Sequence, residues 1–243
     1  MKFIRSLQHK KYRDEAGLFV AEGSKCVEEL KKGFELVLQV TPANATEAEI
    51  AQMSGLKTPQ GVIAVFKKKI INHKSQIING ELTLVLDGIQ DPGNLGTIIR
   101  TCDWFGVRHI VCSQDTADCY NPKVVQATMG ALTRVQLTYT DLVPFLQAAK
   151  EKGAKIVGTL LDGENMYNQL STLHTASADR KNSQLSTLLV MGNEGNGISK
   201  EVRKFITHPV RIPSYPPEAE TSESLNVAIA TAIVLAEFRR LGI

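Results

Sequence analysis

The stretch Leu82-Thr83-Leu84-Val85-Leu86-Asp87-Gly88-Ile89-Gln90-Asp91-Pro92-Gly93-Asn94-Leu95-Gly96-Thr97-Ile98-Ile99-Arg100-Thr101-Cys102-Asp103-Trp104-Phe105-Gly106 decides the fold, because its hydrophobic period changes halfway along. Leu82 to Leu86 is a short, β-rich apolar run and reads as a strand. Leu95, Ile98, Ile99, Cys102 and Phe105 then recur as one stripe of a helix that Gly106 ends. A strand feeding a helix through a glycine-bearing loop is half of a βαβ unit, and the rhythm repeats to the end of the chain. His109 to Cys112, Lys155 to Thr159, Thr187 to Met191 and Pro209 to Ile212 read as strands, with a weaker one near Arg134 to Tyr139. Val124 to Met129, Asp141 to Lys152 and Ser199 to Phe205 read as helices, and Ser171 to Gln184 as polar loop. The expectation for residues 81–243 is a parallel sheet with crossover helices, whose ligands bind beyond the carboxyl ends of the strands.

Ahead of this lies a smaller α/β segment, residues 1–72, reading helix, strand, helix, strand. Phe19 to Ala21 is extended, Ser24 is placed to cap a helix that Gly33 stops, and Gly61 to Phe66 is the clearest strand. The polar residues 73–80 read as a linker. With 43% hydrophobic and 22% charged residues, the chain is an ordinary globular one. Met1-Lys2-Phe3-Ile4-Arg5 lacks the apolar core of a secretory signal, so the cytoplasm is the expected location. Four cysteines without C-x-x-C spacing and five histidines without ligand spacing predict free thiols and no metal site. The net charge is +3 but uneven: residues 1–72 hold 12 Lys and Arg against 8 Asp and Glu. Lys2, Arg5, Lys10, Lys11 and Arg13 precede the first acid, and Lys67, Lys68 and Lys69 close the segment. Such clusters read either as RNA contacts or as a solvated face.

Three loops carry the chemistry. In Asp91-Pro92-Gly93-Asn94-Leu95-Gly96, the helix that follows places Arg100 opposite its apolar stripe, free for a ligand or for an ion pair with Asp103. Trp104 shares that side, where packing in a partner interface is the favoured reading over stacking on a base. Gly192-Asn193-Glu194-Gly195-Asn196-Gly197 joins a strand to a helix in the order G-x-x-G-x-G. That order is neither the dinucleotide fingerprint nor a Walker loop, so the loop is a tight turn or a cofactor loop of another kind. The third runs from Ile212-Pro213 to Ser222-Glu223-Ser224-Leu225-Asn226. It leads into an apolar helix through Arg240 that Ser222 or Ser224 would cap, buried on nearly all sides, with Asn226 one turn inside.

Taken in order, these loops resemble the signature motifs of the SpoU family of RNA ribose 2′-O-methyltransferases. The front segment, through Gly17 to Gly23 and Thr58 to Val62, is similar to the substrate-binding domain often fused to that family. The resemblance implies a trefoil-knotted SPOUT α/β fold, a homodimer through the knotted end, S-adenosyl-L-methionine as methyl donor and RNA, ribosomal or transfer, as substrate. It implies a cofactor held by Thr159, Leu160, Gly192, Gly195, Ile212, Leu225 and Asn226. Asn94, Arg100, Glu194, Ser224 and Asn226 would surround the reacting groups. The rival is a non-catalytic RNA-binding protein that retains the fold. The segment between Ile212 and Ser224 is longer than the family pattern and carries prolines and acids.

Overall fold

The computed structural model describes residues 1–69, 81–177, 186–216, 222 and 224–243. By contacts the chain divides into two compact units. One comprises Met1–Ile71, Asp91–Arg100 and Ala117–Gln136, and the other Asn72–Gln90, Thr101–Thr116 and Leu137–Ile243. The expected linker, 73–80, lies outside the described residues, as do most of the acids and prolines of the unusual lead-in to the last helix.

The first unit opens with α1 (Lys2–Ser6), α2 (Lys10–Ala16), β1 (Leu18–Glu22), α3 (Ser24–Lys31), β2 (Leu36–Val40), α4 (Glu47–Met53) and β3 (Ile63–Lys67). Its strands pair antiparallel in the order β1-β3-β2. Because side chains alternate along a strand, each face collects its own set. Val20, Val40, Ile63 and Val65 join Ile4, Leu7, Ile50 and Met53 of α1, α4 and their flanks in one buried cluster. On the other face Phe19 meets Phe66, Phe34 and Tyr120 at ring-centroid distances of 5.6, 5.1 and 4.8 Å. A sheet covered on both faces accounts for the nearly continuous apolar runs of β1 and β3. The sequence reading missed β2 and α4, although Thr46 and Glu49 form a capping box at the start of α4. Gly23, with φ of 87°, takes the N-cap position of α3, so Ser24 is the helix's first residue rather than its cap.

Arg13 overturns part of the charge reading. It is 1% exposed, and its guanidinium binds Asp118 through Nη2 at 2.7 Å and Nε at 3.2 Å. Nη1 donates to the carbonyls of Leu7 and Gln8, at 3.0 and 2.8 Å, which end α1. Arg13 is therefore a structural tie and not an RNA contact. Lys10 and Lys68 share the Asp14 carboxylate, and Lys67 pairs with Glu35.

In the second unit β4 (Leu82–Asp87) leads through an Asp91-Pro92 helix start to α5 (Pro92–Trp104), where Asp91 Oδ1 accepts the Asn94 N–H at 2.8 Å. Then follow β5 (His109–Cys112), α6 (Pro122–Thr128), β6 (Gln136–Tyr139), α7 (Leu142–Glu151) and β7 (Lys155–Asn165). The last elements are α8 (Met166–Ser177), β8 (Thr187–Gly192), α9 (Lys200–Arg203), β9 (His208–Arg211) and α10 (Val227–Arg240). The first turns of α5, together with α6, group with the first unit. There a Cβ on Gly96 would lie 2.4 Å from that of Ala127, so the two helices cross at a point only glycine permits. The expected loop from Ser171 is helical as far as Ser177, because α8 packs on β7, β9 and α10; the remainder lies outside the described residues.

The six strands lie in the order β6-β5-β4-β8-β7-β9, and the pairs β4/β5, β4/β8, β7/β8 and β7/β9 are parallel. From β4 the chain moves outward to β5 and β6, then returns to lay β8, β7 and β9 on the other side. The strand order therefore reverses between β4 and β8, where α/β sheets open a ligand crevice. Val85, Val111, Ile156, Leu188 and Val190 pack with Leu142, Phe145 and Leu146 of α7 on one face.

Candidate active site at the carboxyl edge of the sheet

At the reversal point Asp87 of β4 stands opposite Gly192 of β8. The two loops that leave these residues are tied by one side chain that the sequence reading passed over. Asn193 Nδ2 donates to the Gly88 carbonyl at 2.7 Å, while its Oδ1 accepts the N–H groups of Gly195 and Asn196 at 2.9 and 3.1 Å. Its backbone pairs both ways with Gly197 at 2.9 Å, closing a tight turn. Asp87 Oδ2 accepts the Ser199 N–H at 2.7 Å just before α9, and Ser113 Oγ accepts that of Gly88 at 2.8 Å. The signal for Asn193 lay in its composition: an Asx residue between glycines satisfies backbone donors locally. Gly192 has no room for a side chain, since an added Cβ would lie 2.2 Å from Gly197 C and Ile198 N.

One strand further along, Thr159 of β7 is paired with Val210 of β9, and residues 160–163 leave the ladder before Glu164 returns to the same partner. The expected strand end at Thr159 is thus an outward excursion, after which β7 continues to Asn165. Thr159 Oγ1 turns inward to the Val190 carbonyl, at 3.4 Å, so toward a ligand this residue offers backbone. Leu160 and Ile212 are half-buried, and Asp162 is held below the usual carboxylate range by its hydrogen bond to Arg203 of α9. Thr159, Leu160, Gly192 and Ile212 thus share the carboxyl edge of three adjacent strands, with Gly195 and the exposed Glu194 on the turn after β8.

The head of α10 differs from expectation. Asn226 is the N-cap: its Oδ1 accepts the N–H groups of Ala228 and Ile229 at 3.0 and 3.3 Å. Neither Ser222 nor Ser224 holds the cap position, because a helix that starts at Val227 is within reach of an asparagine one residue before it. Ser224 and Leu225 are exposed ahead of it, and α10 is buried along one side only. Val227, Thr231, Val234, Leu235 and Phe238 face inward, while Ile229 is 55% exposed. On α5, Leu95, Ile98, Ile99 and Cys102 are fully buried and Arg100 is exposed, as the stripe predicted. Trp104 is 86% exposed within the chain. Among the described residues no group of acids, histidines and cysteines is placed to hold a metal ion.

A strand-order reversal with glycine and backbone at its carboxyl edge is the candidate ligand crevice of a parallel-sheet α/β protein. Residues 81–236 match the SpoU rRNA Methylase family and residues 1–46 the MRM3-like substrate binding domain. The chain belongs to the SpoU rRNA methylase family. A TrmH-family protein of Porphyromonas gingivalis is 39% identical with a TM-score of 0.82, over 98% of this chain and 96% of that one. An AdoMet-bound rRNA methyltransferase of Sinorhizobium meliloti is 30% identical with a TM-score of 0.82, over 100% and 94%. A Bacillus subtilis relative, 27% identical over 98% of this chain and 95% of its own, is named a 23S rRNA guanosine 2′-O-methyltransferase.

Proposed function

We infer that this chain transfers a methyl group from S-adenosylmethionine to a ribose 2′-hydroxyl of RNA, with ribosomal RNA favoured by its relatives' names. The observation that carries the reading is the carboxyl edge of β7, β8 and β9, in a chain of the SpoU family. The edge suits an adenosyl group. Half-buried Leu160 and Ile212 supply apolar walls, and Thr159 and Gly192 supply backbone. Gly195 and Leu225 complete the set proposed to hold the cofactor.

The bound donor supplies an already activated methyl group. What remains for the protein is alignment and the charge that grows on the 2′-oxygen as it loses its proton. Arg100, permanently protonated, is assigned to that oxygen and its neighbouring phosphate. Ser224 orients the hydroxyl and passes its proton to water, Asn94 fixes the turn before Arg100, and Glu194 fixes the loop after β8. Asn226 has its Oδ1 engaged by α10, so its role is to set where that helix starts.

Residues 1–72 serve as the substrate-binding domain and 81–243, carrying the trefoil knot, as the catalytic one. The exposed apolar side of α10, with Ile229, and the exposed Trp104 support a homodimer through that region. No helix among the described residues is long and apolar enough to cross a membrane, and the cytoplasm is the proposed location. The test uses tritiated S-adenosylmethionine with RNA from a strain lacking the gene. Arg100→Ala should lose roughly 100-fold or more in turnover with cofactor affinity unchanged. Near-normal turnover sinks that assignment, and wild-type protein that labels no RNA sinks the function.

A further inference from the structure

The first sixteen residues turn their aromatic side chains outward. Ile4 and Leu7 fill the core beneath α1, and Arg13 occupies the inward side of α2, while Phe3 is 51% exposed and Tyr12 45%. His9 meets Tyr12 edge-on at 6.3 Å, and Lys11 Nζ lies 6.0 Å from the Tyr12 centroid. Lys2, Arg5, Lys10 and Lys11 are exposed on the same two helices, against Asp14 and Glu15. With Arg13 neutralised inside by Asp118, the outward balance is four cations to two anions.

We propose that a single-stranded segment of the substrate RNA lies across α1 and α2, with bases stacked on Tyr12 and Phe3 and phosphates attracted by Lys2, Arg5 and Lys11. Exposed rings interleaved with cations are what unpaired bases on a phosphate chain recognise, because every base has a face to stack and a duplex offers none. A second copy is the poorer occupant, since a two-fold contact would set this positive face against itself. The proposal rests on the RNA methyl-transfer reading and adds to it where the RNA is gripped.

The probe is a fluorescein-labelled mixed-sequence 12-nucleotide RNA, alone or annealed to its complement, titrated with the full chain. Tyr12→Ala should weaken single-strand binding about 5- to 150-fold, the usual worth of one stacked base, and Phe3→Ala should weaken it too. Tyr12→Phe should restore it, and calorimetric affinity for S-adenosylmethionine should not move in any variant, which also certifies folding. Lys11→Gln should lower the salt slope by roughly 0.7, whereas Tyr12→Ala leaves it unchanged. In the transfer assay the alanine variants should raise KM for RNA more than they lower kcat. Alanine variants that bind like wild type, a duplex bound as tightly as the single strand, or a change of oligomeric state in Tyr12→Ala would each overturn the proposal. Failure of wild-type protein to methylate any RNA marks a different failure, that of the methyl-transfer reading itself.

Discussion

Replacing Asp118 with alanine should destabilise the protein far more than a surface ion pair would. The substitution removes both bonds that the carboxylate makes to Arg13, at 2.7 and 3.2 Å, and leaves the guanidinium with the Leu7 and Gln8 carbonyls alone. The Arg13 side chain is 1% exposed and that of Asp118 13%, so water reaches the acid but cannot replace it beside the base. Breaking such a pair costs about 3–5 kcal/mol, because a buried charge is left uncompensated. The two remaining carbonyl acceptors place the expected value near about 3 kcal/mol, or ~6–12 °C in melting temperature for a chain of this length. Arg13→Met combined with Asp118→Leu removes both charges and should be milder than the sum of the singles, losing mainly the donors to the two carbonyls. The assay is urea unfolding of the full chain followed by circular dichroism, in low salt and in about 1 M NaCl, where exposed pairs are screened and this one is not. A cost below about 1 kcal/mol for Asp118→Ala, or one that vanishes in salt, would refute the burial of Arg13 and return it to the RNA-facing set.

Gly192→Ala forces a Cβ into the Gly197 and Ile198 backbone at 2.2 Å; it should cost roughly 1–3 kcal/mol and weaken S-adenosylmethionine binding, read by thermal melting and calorimetry. Ile229→Glu or Trp104→Glu should convert the proposed homodimer to monomer in sedimentation equilibrium; a wild-type chain that sediments as a monomer would overturn the dimer, and an unchanged dimer mass in both variants would overturn this contact. Burial, with Lys155 beside it, lowers the His208 imidazole below 6.5, so the folded state binds fewer protons than the unfolded one. That contribution to stability is present above 6.5 and is lost as pH falls through the lowered value. His208→Gln should therefore flatten the acid side of a stability-versus-pH curve, and an unaltered slope there would remove His208 as its source.

The central strands β4, β5 and β8 were legible because they are buried on both faces and read as apolar runs, and the α5 stripe placed Arg100 on the exposed side. What escaped was decided by partners distant in sequence. Arg13 is drawn inward by Asp118, 105 residues away, together with the Leu7 and Gln8 carbonyls, a set of partners that the run of basic residues does not announce. Strand β2 escaped because it is a half-exposed edge, Leu36 to Leu38, without the periodic contrast that marks a buried strand. The cap of α10 was misassigned by two residues or more because Ser222, Ser224 and Asn226 are all competent caps. The choice among them depends on where packing of Val227 and Ala228 starts the helix.

Two of the motif asparagines illustrate how a site inherits its shape from backbone needs. Asn193 and Asn226 each use a side-chain oxygen to accept two main-chain N–H groups, one closing the turn after β8 and the other starting α10. An oxygen so engaged cannot also receive the 2′-hydroxyl proton without releasing the segment it holds. Aspartate separates their roles. Asn193→Asp keeps the acceptors but deletes the donor to the Gly88 carbonyl, so it should loosen the tie to the loop after β4 and leave the turn intact. Asn226→Asp keeps the whole cap and adds a negative charge at a helix N-terminus, which is favourable there. It should therefore preserve stability, and if Asn226 acts only through the helix start it should preserve turnover as well. A large fall in kcat for Asn226→Asp at unchanged melting temperature would show that the amide itself meets the reacting groups.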